Sequence, residues 1–335
     1  MTAGRRTEVS DIGLGLTVNS KQYADASDLD RTNGSLAFIS SYQLDRHRLG
    51  LNADLDYDST LTSEEATTGF VQVNKRRSRF VVRPTWAYQI TERATLDTGL
   101  SYEDVSYEDV NQIPLSNYTF ARANVTIGYQ ISERMQLVGQ TAYDNYESTA
   151  DGTRTTSVGV EAGLRYLLSE TSSIRALAGV RHSDAETPIE DGVDDTDSFG
   201  PIFQLEWTKD FIVGGVELLA ERSLLPSGRG TLLDTTGITL GFDYPISPLW
   251  TFGLNASAYR NRNPGGEISG NDRDYVDVSP RLGRRLSESL SLDLSYRLRW
   301  QKREIIAEDA VSNAIFLSVN YKWPREPLRR FSTLR

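Results

Sequence analysis

The chain has 335 residues, with 46 acidic and 36 basic side chains, a net charge of −10 and no cysteine. The acidic balance argues against a general nucleic-acid binder, and the lack of cysteine excludes a disulfide framework and thiolate metal sites. Mean hydropathy is −0.43, and no run approaches the roughly 18 apolar residues of a membrane helix; the best, Phe211 to Ala220, is broken by Glu217. A membrane β-barrel escapes this test, because only alternate residues of its strands face lipid. Met1-Thr2-Ala3-Gly4-Arg5-Arg6 lacks the apolar stretch of a signal peptide, so an exported protein would be a mature or re-engineered form.

Taken in order, the chain reads as runs of period two. The first is Ile12, Leu14, Leu16, Val18. A hairpin follows, Leu36 to Leu44 and Leu49 to Tyr57. The next joins Phe80 to Ile90 with Ala94 to Tyr102. The third joins Tyr118 to Ile131 with Met135 to Tyr143, and its apolar parity slips near Ala121. The fourth is Val158 to Leu168 with Ile174 to Val180, and the fifth Phe199 to Trp207 with Ile212 to Ala220. The sixth is Ile238 to Ile246 with Trp250 to Ala258, and the seventh Val276 to Leu286 with Leu290 to Trp300. A final strand runs from Ile315 to Trp323. One strand, seven hairpins and one strand make about sixteen, an even number that lets the first and last strands pair and leaves no sheet edge.

One phrase recurs roughly every 40 residues. Tyr88-Gln89-Ile90-Thr91-Glu92-Arg93 returns as Tyr129-Gln130-Ile131-Ser132-Glu133-Arg134, with looser copies at Tyr42, Tyr166, Tyr244 and Arg285. Each sits at a short turn. Long polar connections occupy about 19–31, 58–75, 104–116, 145–155, 183–198, 223–235, 261–273 and 303–312. Runs of about 9–11 residues match a tilted bilayer crossing. Aromatic residues gather at the turn ends (Tyr42, Tyr88, Tyr129, Tyr166, Trp207, Tyr244, Trp323) and at the loop ends (Tyr57, Tyr102, Tyr118, Tyr143, Phe199, Trp300). These are the two belts expected of interfacial rings. The reading is an all-β transmembrane antiparallel barrel over residues 9–323, with short periplasmic turns and long extracellular loops. Residues 1–8 form an N-terminal periplasmic segment and 324–335 a basic periplasmic tail. A propeller also repeats near 40 residues, but it does not explain a charged alternate face.

That face carries the candidate functional residues, since a soluble core rejects so many charges and a water-filled lumen accepts them. Folding each hairpin about its turn sets Arg122 opposite Asp144, Glu161 opposite Arg181 and Asp277 opposite Arg299, as wall-stiffening ion pairs. Arg83, Arg165, Arg175, Arg281 and Arg297 have no acid directly opposite within their hairpins and are the candidates for contacting an anionic solute. Acidic partners can still come from the other neighbouring strand. The acid-rich stretch Asp184 to Asp197 departs from calcium-loop spacing at Asp191-Gly192-Val193-Asp194-Asp195, which leaves a solvated loop that can also repel anions or fold inward. His47 and His182, the only histidines, show no nucleophile–base–acid arrangement. No enzyme, cofactor or metal site is expected.

The final strand, Ala314-Ile315-Phe316-Leu317-Ser318-Val319-Asn320-Tyr321-Lys322-Trp323, resembles the C-terminal signal of Gram-negative outer-membrane β-barrels, although Pro324 to Arg335 follow it. The Tyr-Gln-Ile-Ser-Glu-Arg hairpins and Gly163-Leu164-Arg165-Tyr166-Leu167-Leu168-Ser169-Glu170 resemble porin-like barrels associated with exopolysaccharide-export loci. That resemblance implies an outer-membrane pore that secretes a polysaccharide. Its implied partners are outer-membrane lipid and lipopolysaccharide, the barrel-assembly machinery and a periplasmic polysaccharide-export component. The expected state is a monomer that binds no nucleic acid. The alternatives are a general or small-solute diffusion porin and a non-conducting scaffold or adhesin acting through its loops.

Overall fold

The computed structural model describes residues 2–22, 24–25, 27, 30–61, 63, 74–109, 115–149, 152–189, 192–228, 230–262, 272–304 and 308–322. The basic tail 324–335, Trp323 and parts of the expected loops lie outside these residues. The structure is built from seventeen strands. In chain order they are β1 (Thr2–Arg6), β2 (Ser10–Lys21), β3 (Arg31–Leu44), β4 (His47–Ser59), β5 (Arg76–Gln89) and β6 (Ala94–Tyr107). Next come β7 (Tyr118–Ser132), β8 (Met135–Ser148), β9 (Arg154–Ser169), β10 (Ser172–Ile189), β11 (Gly192–Asp210) and β12 (Gly215–Pro226). The last are β13 (Leu232–Pro245), β14 (Trp250–Arg262), β15 (Arg273–Arg285), β16 (Leu290–Arg303) and β17 (Ala310–Tyr321). All seventeen belong to one antiparallel sheet.

Two compact units divide the chain. The first is Met1–Gly163, Ala178–Ile202 and Leu224–Leu233; the second is Leu164–Leu177, Phe203–Ser223 and Asp234–Arg335. In the first, β1 to β8 pair in sequence order, from Thr2↔Gly15 through Tyr118↔Ser148. In the second, β11 pairs β12, and β13 to β17 pair in sequence order.

The sixteen expected strands are β2 to β17. A seventeenth, β1, lies within the stretch read as an N-terminal segment. It folds back on β2 through a turn in which the Thr7 amide donates to the Ser10 carbonyl at 2.7 Å and the Ser10 amide to Thr7 Oγ1 at 3.0 Å. Thr2-Ala3-Gly4-Arg5-Arg6 has no apolar alternation, because the main chain supplies the pairing.

The recurring phrase is a turn device. Thr91 Oγ1 accepts from the amides of Arg93 (3.2 Å) and Ala94 (3.0 Å). Ser247 does the same for Leu249 and Trp250, and Ser287 for Ser289 and Leu290. A Ser or Thr hydroxyl that closes over the next amides stabilises a tight reversal. That is why Ser or Thr follows the last apolar residue at these turns.

Two expectations need correcting. The connection expected at 183–198 is largely strand: β10 runs to Ile189 and β11 starts at Gly192, so this hairpin continues well past a bilayer crossing. The parity slip near Ala121 is absent as well. The β7 register runs without a break from Tyr118 and is irregular only between Gln130 and Ser132. Tyr118 and Phe120 therefore share the face of Arg122, and both are buried. Their aromatic character suggests the apolar face, whereas strand parity sends them to the charged side.

The two faces invert the usual distribution. Leu14, Leu51, Leu100, Ile127, Val160, Ile238, Leu294 and Leu317 are exposed, Leu317 at 67%. Asp144, Arg181, Asp234 and Asp277 are buried. Charges taken out of water must be paired, and Arg79 shows how. On β5 it faces Asp56 of β4, to which Nη1 donates at 3.2 Å, while Nε and Nη2 form a fork on Glu103 of β6 at 3.0 and 2.9 Å. One guanidinium thus ties three strands. Replacing Arg79 with Met strands two carboxylates and is expected to cost about 1–3 kcal/mol in urea unfolding from lipid vesicles. Arg93→Ala, in an exposed turn, should stay within about 0.5 kcal/mol; equal losses would contradict the bridging role.

Candidate functional site

The charged face of the first unit is a ladder of paired carboxylates and guanidiniums. Asp54, Asp56 and Asp58 alternate along β4, and Arg77, Arg79 and Arg83 along β5. Arg77 lies opposite Asp58 and grips it with a fork of 3.0 and 2.8 Å. Arg83 lies opposite Asn52 and reaches diagonally to Asp54 at 2.8 Å. The Tyr118 hydroxyl donates to Glu103 at 3.2 Å, which extends the network to β7. Arg122 and Asp144 are directly opposite and 3.1 Å apart, and Ser157 donates to Asp144 at 3.2 Å. Glu161 and Arg181 also belong to this unit, and each is engaged by neighbouring groups.

Toward the long connections this face turns apolar. Val105, Tyr107, Tyr118, Phe120 and Tyr146 form a buried cluster with Leu115, Leu224 and Leu232. The two last leucines lie at the end of β12 and the start of β13, in the segment Leu224–Leu233 that is part of the first unit. Tyr146 and Leu232 are 0% and 1% exposed. Polar groups fix the seat: Tyr146 Oη donates to the Ser227 carbonyl at 2.9 Å, and the Ser116 amide to the Gly228 carbonyl at 2.6 Å. A reversal within the segment is closed by Ser227 N–H to the Thr231 carbonyl at 3.1 Å. The connection expected as a solvated loop is thus an apolar hairpin lying on the charged face. Its signal in the sequence is Leu224-Leu225 and Leu232-Leu233 flanking Pro226-Ser227-Gly228.

The second unit centres on Asp277. Arg299 lies opposite and donates at 3.1 Å; Arg297, a diagonal neighbour, donates from Nε at 2.7 Å. Tyr275 Oη (3.2 Å) and Ser279 Oγ (2.9 Å) complete the shell. Arg281 reaches from β15 across β14 to Asp243 on β13 at 3.2 Å. The residue crossed is Gly253, where a Cβ would come within 2.9 Å of the Asp243 carboxylate. Arg222 forks onto Asp234 at 3.0 and 2.9 Å. Arg273, 1% exposed, lies 4.3 Å from the Tyr275 ring and 5.5 Å from that of Tyr259.

Three of the five arginines read as lacking an acid opposite are therefore ion-paired: Arg83, Arg281 and Arg297. The physical reason is reach, because a guanidinium on three methylenes spans a diagonal or a whole strand. Arg175 donates to Gln204 at 2.9 Å. Arg165 is exposed and has no ion pair or hydrogen bond among the described residues. The bridging of Arg79 and the forks of Arg77 and Arg222 were not singled out from the sequence, since they cross between hairpins or sit at expected loop ends.

The acid-rich stretch lies at the end of β10 and the start of β11. There a hydrogen bond to Asp184, reinforced by the repulsion between the two carboxylates, holds the Asp195 carboxyl above the usual range. The histidines are engaged elsewhere. His47 accepts the Trp86 indole N–H at Nδ1 (3.1 Å) and stacks on Tyr88, and His182 lies 3.6 Å from Asp197.

No protein-family model matches the chain, and no curated protein sequence is similar to it. Solved structures are similar in fold. The FrpB iron transporter from Neisseria meningitidis (F5-1 variant) superimposes over 90% of this chain and 60% of its own, with 10% identity and a TM-score of 0.54. The copper transporter OprC matches 94% of this chain and 61% of its own, with 8% identity and a TM-score of 0.51. The F3-3 variant of FrpB gives 10% identity over 90% and 59%, with a TM-score of 0.52. The chain spans about three fifths of the length of these structures. Its fold is that of an outer-membrane β-barrel.

The seated hairpin depends on apolar burial. Leu232→Asp with Leu233→Asp should release it, raising the mobility of a spin label at Thr231 and opening the segment to proteases. Tyr146→Phe should weaken it by about 1 kcal/mol. Unchanged label mobility in the double aspartate variant would refute the seat.

Proposed function

We propose that the chain is an outer-membrane transport barrel whose charged face lines an aqueous passage for a hydrophilic solute. The observation that carries this reading is the inversion of the faces, with exposed leucines, isoleucines and valines on one side and a hydrogen-bonded charge ladder on the other. Side chains meeting lipid must be apolar, and a water-filled interior is where so many guanidiniums and carboxylates are tolerated. The β-barrel fold shared with iron and copper transporters supports the same class.

The solute proposed is an acidic polysaccharide moving outward. Arg165, exposed and without a partner among the described residues, is the guanidinium best placed to contact an anionic chain in passing; Arg175, on the neighbouring strand β10, donates to the neutral amide of Gln204. The paired arginines serve the wall. The resemblance of the turn phrases to barrels associated with exopolysaccharide export points the same way. In this reading the protein is a monomer, enters the membrane through the barrel-assembly machinery, receives its substrate from a periplasmic export component and performs no catalysis.

The seated hairpin favours a second reading, a small-solute diffusion pore. A segment lying on the passage wall narrows it and selects by size.

Planar-bilayer recording separates these readings. Replacing residues 226–231 with Gly-Gly should raise single-channel conductance severalfold. Arg165→Glu with Arg175→Glu should shift the reversal potential toward cations. A barrel that inserts yet passes no current even after the deletion would be a scaffold, and both pore readings would fail. Loss of surface polysaccharide in a gene-deletion strain, restored by wild type, distinguishes the exporter from the diffusion pore.

A further inference from the structure

The apolar face of the first unit holds a groove that transport does not use. Its volume is about 350 Å³, and its walls include Leu36, Leu55, Tyr57 and Phe80. The register explains the depression. Tyr57 is paired with Gly34 on one side and Ser78 on the other, and Ser78 with Ser106. Three small residues in one row leave space between larger neighbours.

One row closer to the long connections stands Arg76, paired with Ser59. Its side chain does not point to a carboxylate. Nη1 donates to the Thr32 carbonyl two strands away at 2.8 Å, and the guanidinium lies 5.6 Å from the centre of the Tyr57 ring. Glu108, whose amide donates to the Arg76 carbonyl at 3.0 Å, instead accepts from the Tyr57 hydroxyl at 3.2 Å. Among the described residues Arg76 forms no ion pair. An arginine spread over a tyrosine ring above an apolar groove keeps its charge available at the rim.

The height of this site follows from the strand. From Tyr88 at the turn end back to Arg76, a rise of about 3.4 Å per residue at a tilt of about 40° covers roughly 30 Å. The apolar band of such barrels is about 25 Å tall. Arg76 and Tyr57 therefore stand at headgroup level on the side of the long connections, and the groove descends from them into the hydrocarbon layer.

We infer that this groove binds the phosphorylated glycolipid of the outer leaflet. A lipid A acyl chain lies along Leu55 and Phe80, and a phosphate pairs with the Arg76 guanidinium. Asp104 and Ser106 on β6, and Glu108 just beyond its end, supply acceptors for hydroxyls of the sugar headgroup. A charge-assisted bond from a planar guanidinium suits phosphate in particular. The inference rests on the outer-membrane reading.

The test uses the full chain refolded in detergent micelles and native mass spectrometry. The probes are bisphosphorylated lipid A, its dephosphorylated form and phosphatidylglycerol. Wild type is expected to retain lipid A at least fivefold better than the other two probes. Arg76→Ala should lose that preference, and Ser78→Phe, which fills the groove but keeps the charge, should reduce retention of both lipid A forms. Equal retention by wild type and Arg76→Ala, or equal retention of phosphatidylglycerol, overturns the site. Insertion of the same preparations into vesicles is scored separately. If wild type does not insert, the outer-membrane reading fails and takes this one with it; if it inserts and retention is unselective, only the lipid site fails.

Discussion

The antiparallel main-chain ladder is the constraint on which everything else depends. A strand crossing hydrocarbon must pair each N–H and C=O with another strand, because no water is there to do so. The ladder in turn imposes a side-chain period of two. Each strand then has one face that meets lipid and one that does not, and a one-residue slip would exchange them. The registers of β2 to β8, irregular only near the turn between Gln130 and Ser132, and of β13 to β17 keep these faces separate. The Ser and Thr turn hydroxyls hold each hairpin to its register, at Thr91 and Ser287 for example. The recurring turn phrase is therefore an alignment device.

Charge on the non-lipid face is organised by reach as much as by opposition. Direct cross-strand pairs such as Arg122–Asp144 follow from register alone. Other connections are forks and diagonals: Arg79 on Asp56 and Glu103, Arg297 on Asp277, and Arg281 over Gly253 to Asp243. Each spans strands that a hairpin-by-hairpin view treats separately. Among the described residues Arg165 forms no such link.

The Leu224–Leu233 hairpin obeys the same physics in reverse. An apolar segment at the end of two strands must bury its leucines, and it finds the patch of Val105, Tyr118, Phe120 and Tyr146 on the charged face. Tyr118, which its aromatic character places in an interfacial belt, lies in that patch. Residue type alone does not say which side of a sheet a tyrosine takes. Parity does, and Tyr118 follows Arg122.

The strand architecture was legible in the amino-acid sequence. Alternation, turn phrases and connection lengths placed β2 to β17 and assigned the direct pairs Arg122–Asp144 and Asp277–Arg299 to opposing positions, because these depend on spacing along one hairpin. Tertiary structure alone decided what depends on distance between hairpins: the diagonal and two-strand ion pairs, the burial of Tyr118, the strand character of the acid-rich stretch, and the seat of Leu224–Leu233. The short strand β1 also escaped the sequence, since main-chain pairing leaves no apolar pattern. Local order is written in the period of side chains, whereas partners across the sheet are set by register and reach, which no single segment encodes.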